Sequence, residues 1–323
     1  MHQHLIPHLG RRRLDQLAPQ HVRAMHAALV AQGLAPATAL KAHRVLAKAL
    51  TDAQREGRVV RNVATLVDAP RKAAPTAGAL TSAQARALLA AVADDRFASR
   101  WAAALLLGAR QGELLGLQWA RVDLEAWTVD LSWQLQRLGY RHGCADRKTP
   151  ATRTGVGNTQ PTPWPCGRSR GGSCPQRELD VPAGFEHRQL DGGLTLTRPK
   201  SAAGVRVVPL PEPMVRMLEL RREESHAEPS PHGLVWVRSD GRPLDPREDP
   251  RAWHVALEVA GLPSVPLHAA RHTAATMLME AGTDPKVVMQ ILGHSSVAVS
   301  QGYMHVSLEL ARGSMDKLGR MLT

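Results

Sequence analysis

Gly108-Ala-Arg110-Gln-Gly-Glu113-Leu-Leu-Gly-Leu-Gln-Trp119 breaks one helix and starts another, and the middle of the chain is read from that break. Upstream, Phe97 to Leu107 is a largely apolar stretch of helical length that Gly108 stops. Downstream, Leu114 to Trp119 reads as a short helix, and Trp127-Thr-Val-Asp-Leu131 as a strand. Between them stand two charged residues one helical turn apart, Arg110 and Glu113. A charge pair in a gap between apolar elements needs either solvent or a task.

Working outward, Leu80-Thr81-Ser-Ala-Gln84 has the form of a capping box, with Thr81 as N-cap of an Ala-rich helix reaching Ala93. Residues 134–192 read as irregular, rich in Gly, Pro, Arg and Cys. Leu194–Thr197 and Val205–Val208, joined through Lys200-Ser-Ala-Ala-Gly204, read as a β-hairpin. Helices are expected over about 211–228, 247–260, 268–281, 284–292 and 307–320. Toward the N-terminus, Pro19 to Val30 and Ala35 to Gly57 read as helices, the second with Leu40, Val45, Leu46, Ala49 and Leu50 at helical spacing. Pro70 to Gly78 has a linker's composition. The expected fold is therefore mainly α with a small β-sheet, in two domains.

Composition narrows the function. The 323 residues carry 41 Lys plus Arg against 29 Asp plus Glu, a formal charge of +12, which favours a polyanionic partner, nucleic acid first. Residues 1–75 hold twelve Lys/Arg and four Asp/Glu, most of the excess. Arg outnumbers Lys 34 to 7 and Ala is abundant, as in GC-rich, actinobacterial-type genomes. Three Cys in so long a chain exclude a disulfide-stapled secreted scaffold. No apolar run approaches the ~20 residues of a membrane span, and no secretory signal is visible at the N-terminus. A soluble cytoplasmic protein is expected.

Two further stretches carry chemistry. Leu267-His268-Ala-Ala-Arg271-His272 places His268 and Arg271 on one side of a helix. Leu292-Gly-His294 is followed nine residues later by Tyr303, one of only two tyrosines. With the Arg110 stretch, in this order over about 195 residues, these motifs resemble the tyrosine recombinase (phage integrase) family. The resemblance implies a helical core-binding domain of the SAM-like type at residues 1–72, a linker at 73–79 and an α+β catalytic domain at 80–323 with an insert at 134–192. It implies that Arg110 and Arg271 clamp the scissile phosphate and that Tyr303 is the nucleophile. His268 would handle the tyrosine proton or orient the phosphate, His294 would bond a non-bridging oxygen, and Lys200 would protonate the departing 5′-oxygen. Glu113 would support the site.

The implied activity is site-specific cleavage and rejoining of DNA through a 3′-phosphotyrosyl intermediate, for integration or excision of a mobile element. It needs no metal, ATP or other cofactor. Two guanidinium groups suit the task because charge on two phosphorane oxygens is matched by planar, permanent, bidentate donors. Implied partners are double-stranded DNA, a homotetramer on synapsed sites formed from free monomers, an excisionase or DNA-bending host factor, and no membrane. The place of action would be the bacterial cytoplasm, at the nucleoid when DNA-bound. Rival readings are a recombination-inactive DNA-binding remnant and a type IB topoisomerase-like enzyme. The remnant reading arises because relatives carry a further helix ahead of residues 4–72. The clamp therefore reads as N-terminally incomplete, from a truncated gene or a start codon placed too late. The tail 304–323, with Leu308, Leu310, Met315, Leu318 and Met321, would dock on the next protomer or pack on its own domain.

In the insert, His142, Cys144, Cys166 and Cys174 make up a possible Cys₃His zinc set. No Cys-x-x-Cys knuckle is present, so reduced thiols in a loop are the expected state. Nine Lys/Arg against five Asp/Glu in 134–192 equally suit DNA-backbone contacts.

Overall fold

Pro19 and Pro36 open helices at their first turns, where a missing N–H costs nothing. Helix α1 is Ile6–Leu9, α2 is Pro19–Ala31 and α3 is Pro36–Arg55. Val22, Met25 and Leu29 of α2 pack with Ala39, Ala42, Leu46 and Leu50 of α3, each set at i, i+3, i+4 or i+7 spacing. Asn62 fastens the turn that follows. Its Nδ2 donates to the Ala47 carbonyl at 2.8 Å and to Thr51 Oγ1 at 2.9 Å, and its Oδ1 accepts from Ala64 N at 3.0 Å. One face opens into a cleft of about 630 Å³ lined by Leu5, Ile6, Leu9, Leu46 and Leu50.

The computed structural model describes residues 1–71, 78–144, 164–199, 204–293 and 308–322, which form two compact units, 1–71 and 78–322. Most of the expected linker at 73–79 lies outside the described residues. Among the described residues, no helix is long and apolar enough to cross a membrane.

The second unit begins with α4, Ser82–Ala91. Thr81 Oγ1 accepts from Gln84 N at 3.1 Å while Gln84 Oε1 accepts from Thr81 N at 2.9 Å, which is the capping box expected from the sequence. Helix α5, Ala98–Leu106, is buried on every face and forms the axis of the core. Around it pack α7 (Glu212–Ser225), α8 (Asp249–Val259), α9 (His268–Glu280), α10 (Pro285–Leu292) and α11 (Leu308–Arg320). Between α5 and α7, among the described residues, lie the short α6, Gln111–Leu115, and eight short strands. Helix α11 folds back on its own unit. Ala311, Met315 and Leu318 enter the main core, and Arg312 donates to the Ala126 carbonyl at 2.8 Å.

Among the described residues the strands make three antiparallel sheets. β1 (Val122–Asp123), β2 (Thr128–Asp130) and β8 (Val207–Pro209) pair in that order, with Val129 opposite Val208. β3 (Gln134–Arg137), β7 (Leu194–Thr197) and β6 (His187–Asp191) form the second sheet, with Leu135 opposite Leu196. β4 (Tyr140–His142) and β5 (Arg177–Leu179) form the third.

This arrangement corrects four expectations. The 194–197 and 205–208 segments do not pair with each other. Every residue of β7 is buried, so it takes a neighbour on each edge, β3 and β6, while β8 joins β2. The tight turn is instead Asp191-Gly192-Gly193, where Gly192 has φ +53°. Residues 134–192 are correspondingly not irregular throughout, since β3 to β6 lie inside them. Finally, the short helix starts at Gln111 rather than Leu114, and Trp127, at φ +53°, stands before its strand rather than in it.

Candidate active site

The break at Gly108 brings the site together. Gly108 holds φ +54°, and a Cβ there would lie 2.4 Å from Leu292 Cδ2 and 2.9 Å from Ala274 Cβ. Both the backbone twist and the space therefore require glycine. Its carbonyl, turned toward α9, accepts from Arg271 Nη1 at 2.8 Å. The chain then re-enters helix at α6, which lies directly on β3. Cβ atoms at Gly112 and Gly116 would stand 2.8 Å from the Leu135 carbonyl oxygen and 2.6 Å from Leu135 N. Leu114 packs into the main core and Leu115 into a smaller one with Trp133, Leu135, Leu194 and Leu196. Gln111 fixes the start of α6 by donating to Asp249 at 3.0 Å, and Asp249 is ion-paired with the buried Arg100 at 2.8 Å.

Arg110 caps α6 in extended conformation, so its side chain projects from the helix start. Its Nη1 donates to Glu113 Oε1 at 2.7 Å and its Nη2 to the carbonyl of Gly293 at 2.7 Å. Gly293 ends α10 in the left-handed conformation. Each of the two arginines is thus held by the carbonyl of a positive-φ glycine.

Glu113 is 1 % exposed and serves a third cation. Arg206, just before β8, donates to Glu113 Oε2 from Nη2 at 2.9 Å and to Oε1 from Nη1 at 3.2 Å. Its Nε donates to the Ile291 carbonyl at 2.8 Å. Burial alone would raise the Glu113 carboxyl, but Arg206 and Arg110 outweigh it and hold the group below its ordinary range. Arg206 is not among the site residues expected from the sequence. The available signal was a charge among apolar residues in Val205-Arg-Val-Val208, at a position alternation turns inward.

Arg271 is 4 % exposed, and its Nη2 has no hydrogen-bond partner among the described residues. Burial first, then the charges of Arg110 and Arg206, pull its pKa down to about 10, against the opposing pull of Glu113. It therefore remains cationic at neutral pH. His268, one turn before it on α9, has an exposed ring set edge-on to His272 with centroids 5.0 Å apart. Partial desolvation, followed by the charges of His272, Arg271 and Arg110, lowers its pKa and favours the neutral imidazole. Three cations around one carboxylate leave an electropositive cradle, and the unsatisfied donor of Arg271 fits an anionic oxygen.

The structure thus brings together Arg110, Glu113, His268 and Arg271. Lys200, His294 and Tyr303 lie outside the described residues. In the insert, the ligand atoms of His142, Cys144, Cys166 and Cys174 lie within 4.8 Å of one another.

The family model for the phage integrase family matches residues 190–309, a stretch that includes Lys200, His268, Arg271, His294 and Tyr303. An integrase of Saccharopolyspora erythraea is 34 % identical over 331 residues, covering 98 % of this chain and 75 % of that protein. The chain belongs to the phage integrase family, the tyrosine recombinases. That makes it a site-specific recombinase. Tyrosine recombinase XerC of Mycobacterium sp. (strain KMS) is 38 % identical over 118 residues, 35 % of this chain and 39 % of XerC. Among solved structures, the Tn1549 transposon integrase in complex with transposon right end DNA aligns with a TM-score of 0.66 at 21 % identity, over 96 % of this chain and 88 % of that one. A lambda integrase dimer bound to a core site aligns with a TM-score of 0.54 at 15 % identity, over 93 % and 87 %. Both share the fold of this recombinase.

Proposed function

We propose that this recombinase cleaves and rejoins double-stranded DNA at paired core sites through a covalent link to Tyr303, serving integration or excision of a mobile element. The observation that carries this reading is the cradle of Arg110 and Arg271, each anchored by a glycine carbonyl and flanked by the Arg206–Glu113 pair. Such a cradle favours a phosphodiester whose non-bridging oxygens gain charge as a fifth ligand approaches phosphorus.

The roles follow from chemistry. The Tyr303 oxygen forms a bond to phosphorus as the bond to the 5′-oxygen breaks, giving a 3′-phosphotyrosyl enzyme and a free 5′-hydroxyl. A phenol with a reference pKa near 10 must lose its proton on attack, and a neutral His268 is suited to take it or to orient the phosphate. Lys200 supplies the proton to the departing 5′-oxygen, and His294 bonds a non-bridging oxygen. Rejoining reverses these steps with the partner strand's 5′-hydroxyl, so the phosphodiester energy is conserved. Glu113 and Arg206 position Arg110 without touching the DNA. The chain acts as a tetramer on synapsed DNA in the bacterial cytoplasm, with an excision or DNA-bending factor setting direction. The family relatives are integrases and recombinases, which supports strand exchange over simple relaxation of supercoils.

A nicked suicide duplex carrying the candidate attachment site tests this. The expected result is a protein–DNA adduct stable in denaturant, absent in Tyr303→Phe and at least a hundredfold slower to form in Arg271→Ala. A folded protein that binds the site and yields no adduct would establish the DNA-binding remnant instead. Plasmid relaxation without recombinant product would establish the topoisomerase-like activity.

A further inference from the structure

The insert between β3 and β6 poses a packing problem. It contains the two-stranded sheet β4–β5 and a 3₁₀ turn at Gly171–Ser173, yet among the described residues none of its side chains from 139 to 186 joins a hydrophobic core cluster. A two-stranded sheet has marginal stability in water, and small subdomains without a core are held by disulfides or metals. The three cysteines form no disulfide.

What lies at the centre of the insert is a ring of metal-ligand atoms. His142 Nδ1 stands 3.3 Å from Cys166 Sγ, although the two residues are 24 positions apart, and 3.8 Å from Cys144 Sγ. Cys174 is 1 % exposed and completes the set, with one ligand atom from each residue within 4.8 Å of every other. With Zn–S near 2.3 Å and Zn–N near 2.0 Å, the edges of a Cys₃His tetrahedron are roughly 3.5–3.8 Å. The two nitrogen–sulfur distances fall around those values.

The surrounding backbone is fitted to this convergence. His142 ends β4, pairing with Arg177 of β5, and Cys174 follows the 3₁₀ turn with its N–H on the Gly171 carbonyl at 3.0 Å. Cys166 sits in a turn closed by Gly167 N on the Trp164 carbonyl at 2.7 Å. The Trp164 ring lies flat on the His142 imidazole, with centroids 4.2 Å apart and planes 10° apart, which fixes the ring with Nδ1 toward the sulfurs. At Gly143 and Gly171 a Cβ would come within 2.1 Å of the Gln176 carbonyl oxygen and 2.2 Å of the Tyr140 carbonyl oxygen. Those close approaches bring the strand end and the turn against each other.

We propose that His142, Cys144, Cys166 and Cys174 bind one structural zinc ion that takes the place of a hydrophobic core in this insert. Four protein ligands close the coordination sphere, so the ion holds structure and takes no part in strand cleavage. Nδ1 is the ligand atom, leaving the imidazole proton on Nε2. Binding ties Cys144 and Cys166, distant in sequence, to one point with His142 and Cys174.

Metal content of the purified full chain, measured after removal of loosely held ions, is expected to be one zinc per chain. A mercurial reagent should release that zinc as three thiols react. Replacement by cobalt should give the visible bands of tetrahedral cobalt and near-ultraviolet thiolate charge transfer of three-sulfur intensity. Cys174→Ser and His142→Ala should each lower zinc affinity at least tenfold. The proposal is overturned if the wild-type chain, reduced and supplied with zinc, retains none while all three thiols titrate freely. It is equally overturned by a disulfide between two of them, or by a cobalt spectrum without thiolate bands. The wild-type spectrum decides the matter even where a variant does not fold.

Discussion

Arg206 separates positioning from contact at the scale of single residues. Its guanidinium donates to Glu113 and to the Ile291 and Gly204 carbonyls, so under the proposed function it would act through Glu113 and Arg110. Replacing Arg206 by Ala leaves a buried carboxylate with one partner fewer, and removal of one member of a buried pair costs about 3–5 kcal/mol. Urea denaturation should show a loss at the lower end of that range, because Arg110 remains. Cleavage should slow together with stability, and Arg206→Lys should restore stability better than rate, since an ammonium cannot hold both carboxylate oxygens in a plane. A pH prediction belongs at this scale too. His268 is held below the ordinary histidine pKa of 6.5, so it stays neutral at pH 7 and protonates only on further acidification. If it receives the tyrosine proton, adduct formation should fall on the acid side with an apparent pKa under 6.5, and His268→Gln should flatten that limb. Because the folded value is the lower one, stability from the neutral ring is present above pH 6.5 and lost as pH falls through the folded pKa. A rate falling only above neutrality would assign the proton to another group.

At the scale of elements, Gly108 joins α5, α6 and α9, and its replacement tests whether the break in the helix organises the site. Gly108→Ala must strain a positive φ and push a methyl into Leu292 and Ala274, so a loss of about 2–4 kcal/mol is expected by chemical denaturation. The residual folded protein should cleave poorly, because the Gly108 carbonyl anchors Arg271. The same element shows what the sequence made legible. Gly108, Arg110 and Glu113 were readable because a glycine stop and a charge pair one turn apart are local signals. The capping box at Thr81 was readable for the same reason. Strand partners were not, since Leu194–Thr197 and Val207–Pro209 have the right composition for pairing with each other and alternation does not name a partner. Arg206 carried a partial signal, a charge at an inward position of Val205–Val208, but the Glu113 carboxylate it meets there depends on the tertiary fold. The convergence of His142 with Cys166 and Cys174 is also a product of tertiary structure, as their spacing lacks any compact knuckle.

On the scale of the whole molecule the governing quantity is charge. The +12 excess lies mainly in residues 1–75, whose helix α3 exposes Lys41 and Arg44 on the face opposite buried Ala42 and Leu46. Exposed cations on the far side of a packed helix cost the fold little to lose, so they report on partner binding rather than on stability. Each Lys or Arg that neutralises a phosphate releases counterion and adds about 0.9 to the slope of log affinity against log salt. Six to ten such contacts would weaken binding by about 10³–10⁵ between ~50 and ~200 mM salt. For the full chain on a core-site duplex, Lys41→Gln with Arg44→Gln should lower the slope by about 2 and weaken binding on all sequences alike. Thermal stability should stay within about 0.5 kcal/mol, as for surface changes generally. Adduct formation at saturating protein should be unchanged, because the Arg110–Arg271 cradle is intact. An unaltered slope would move the phosphate contacts away from α3, and a salt-independent affinity would remove the electrostatic basis for DNA binding altogether.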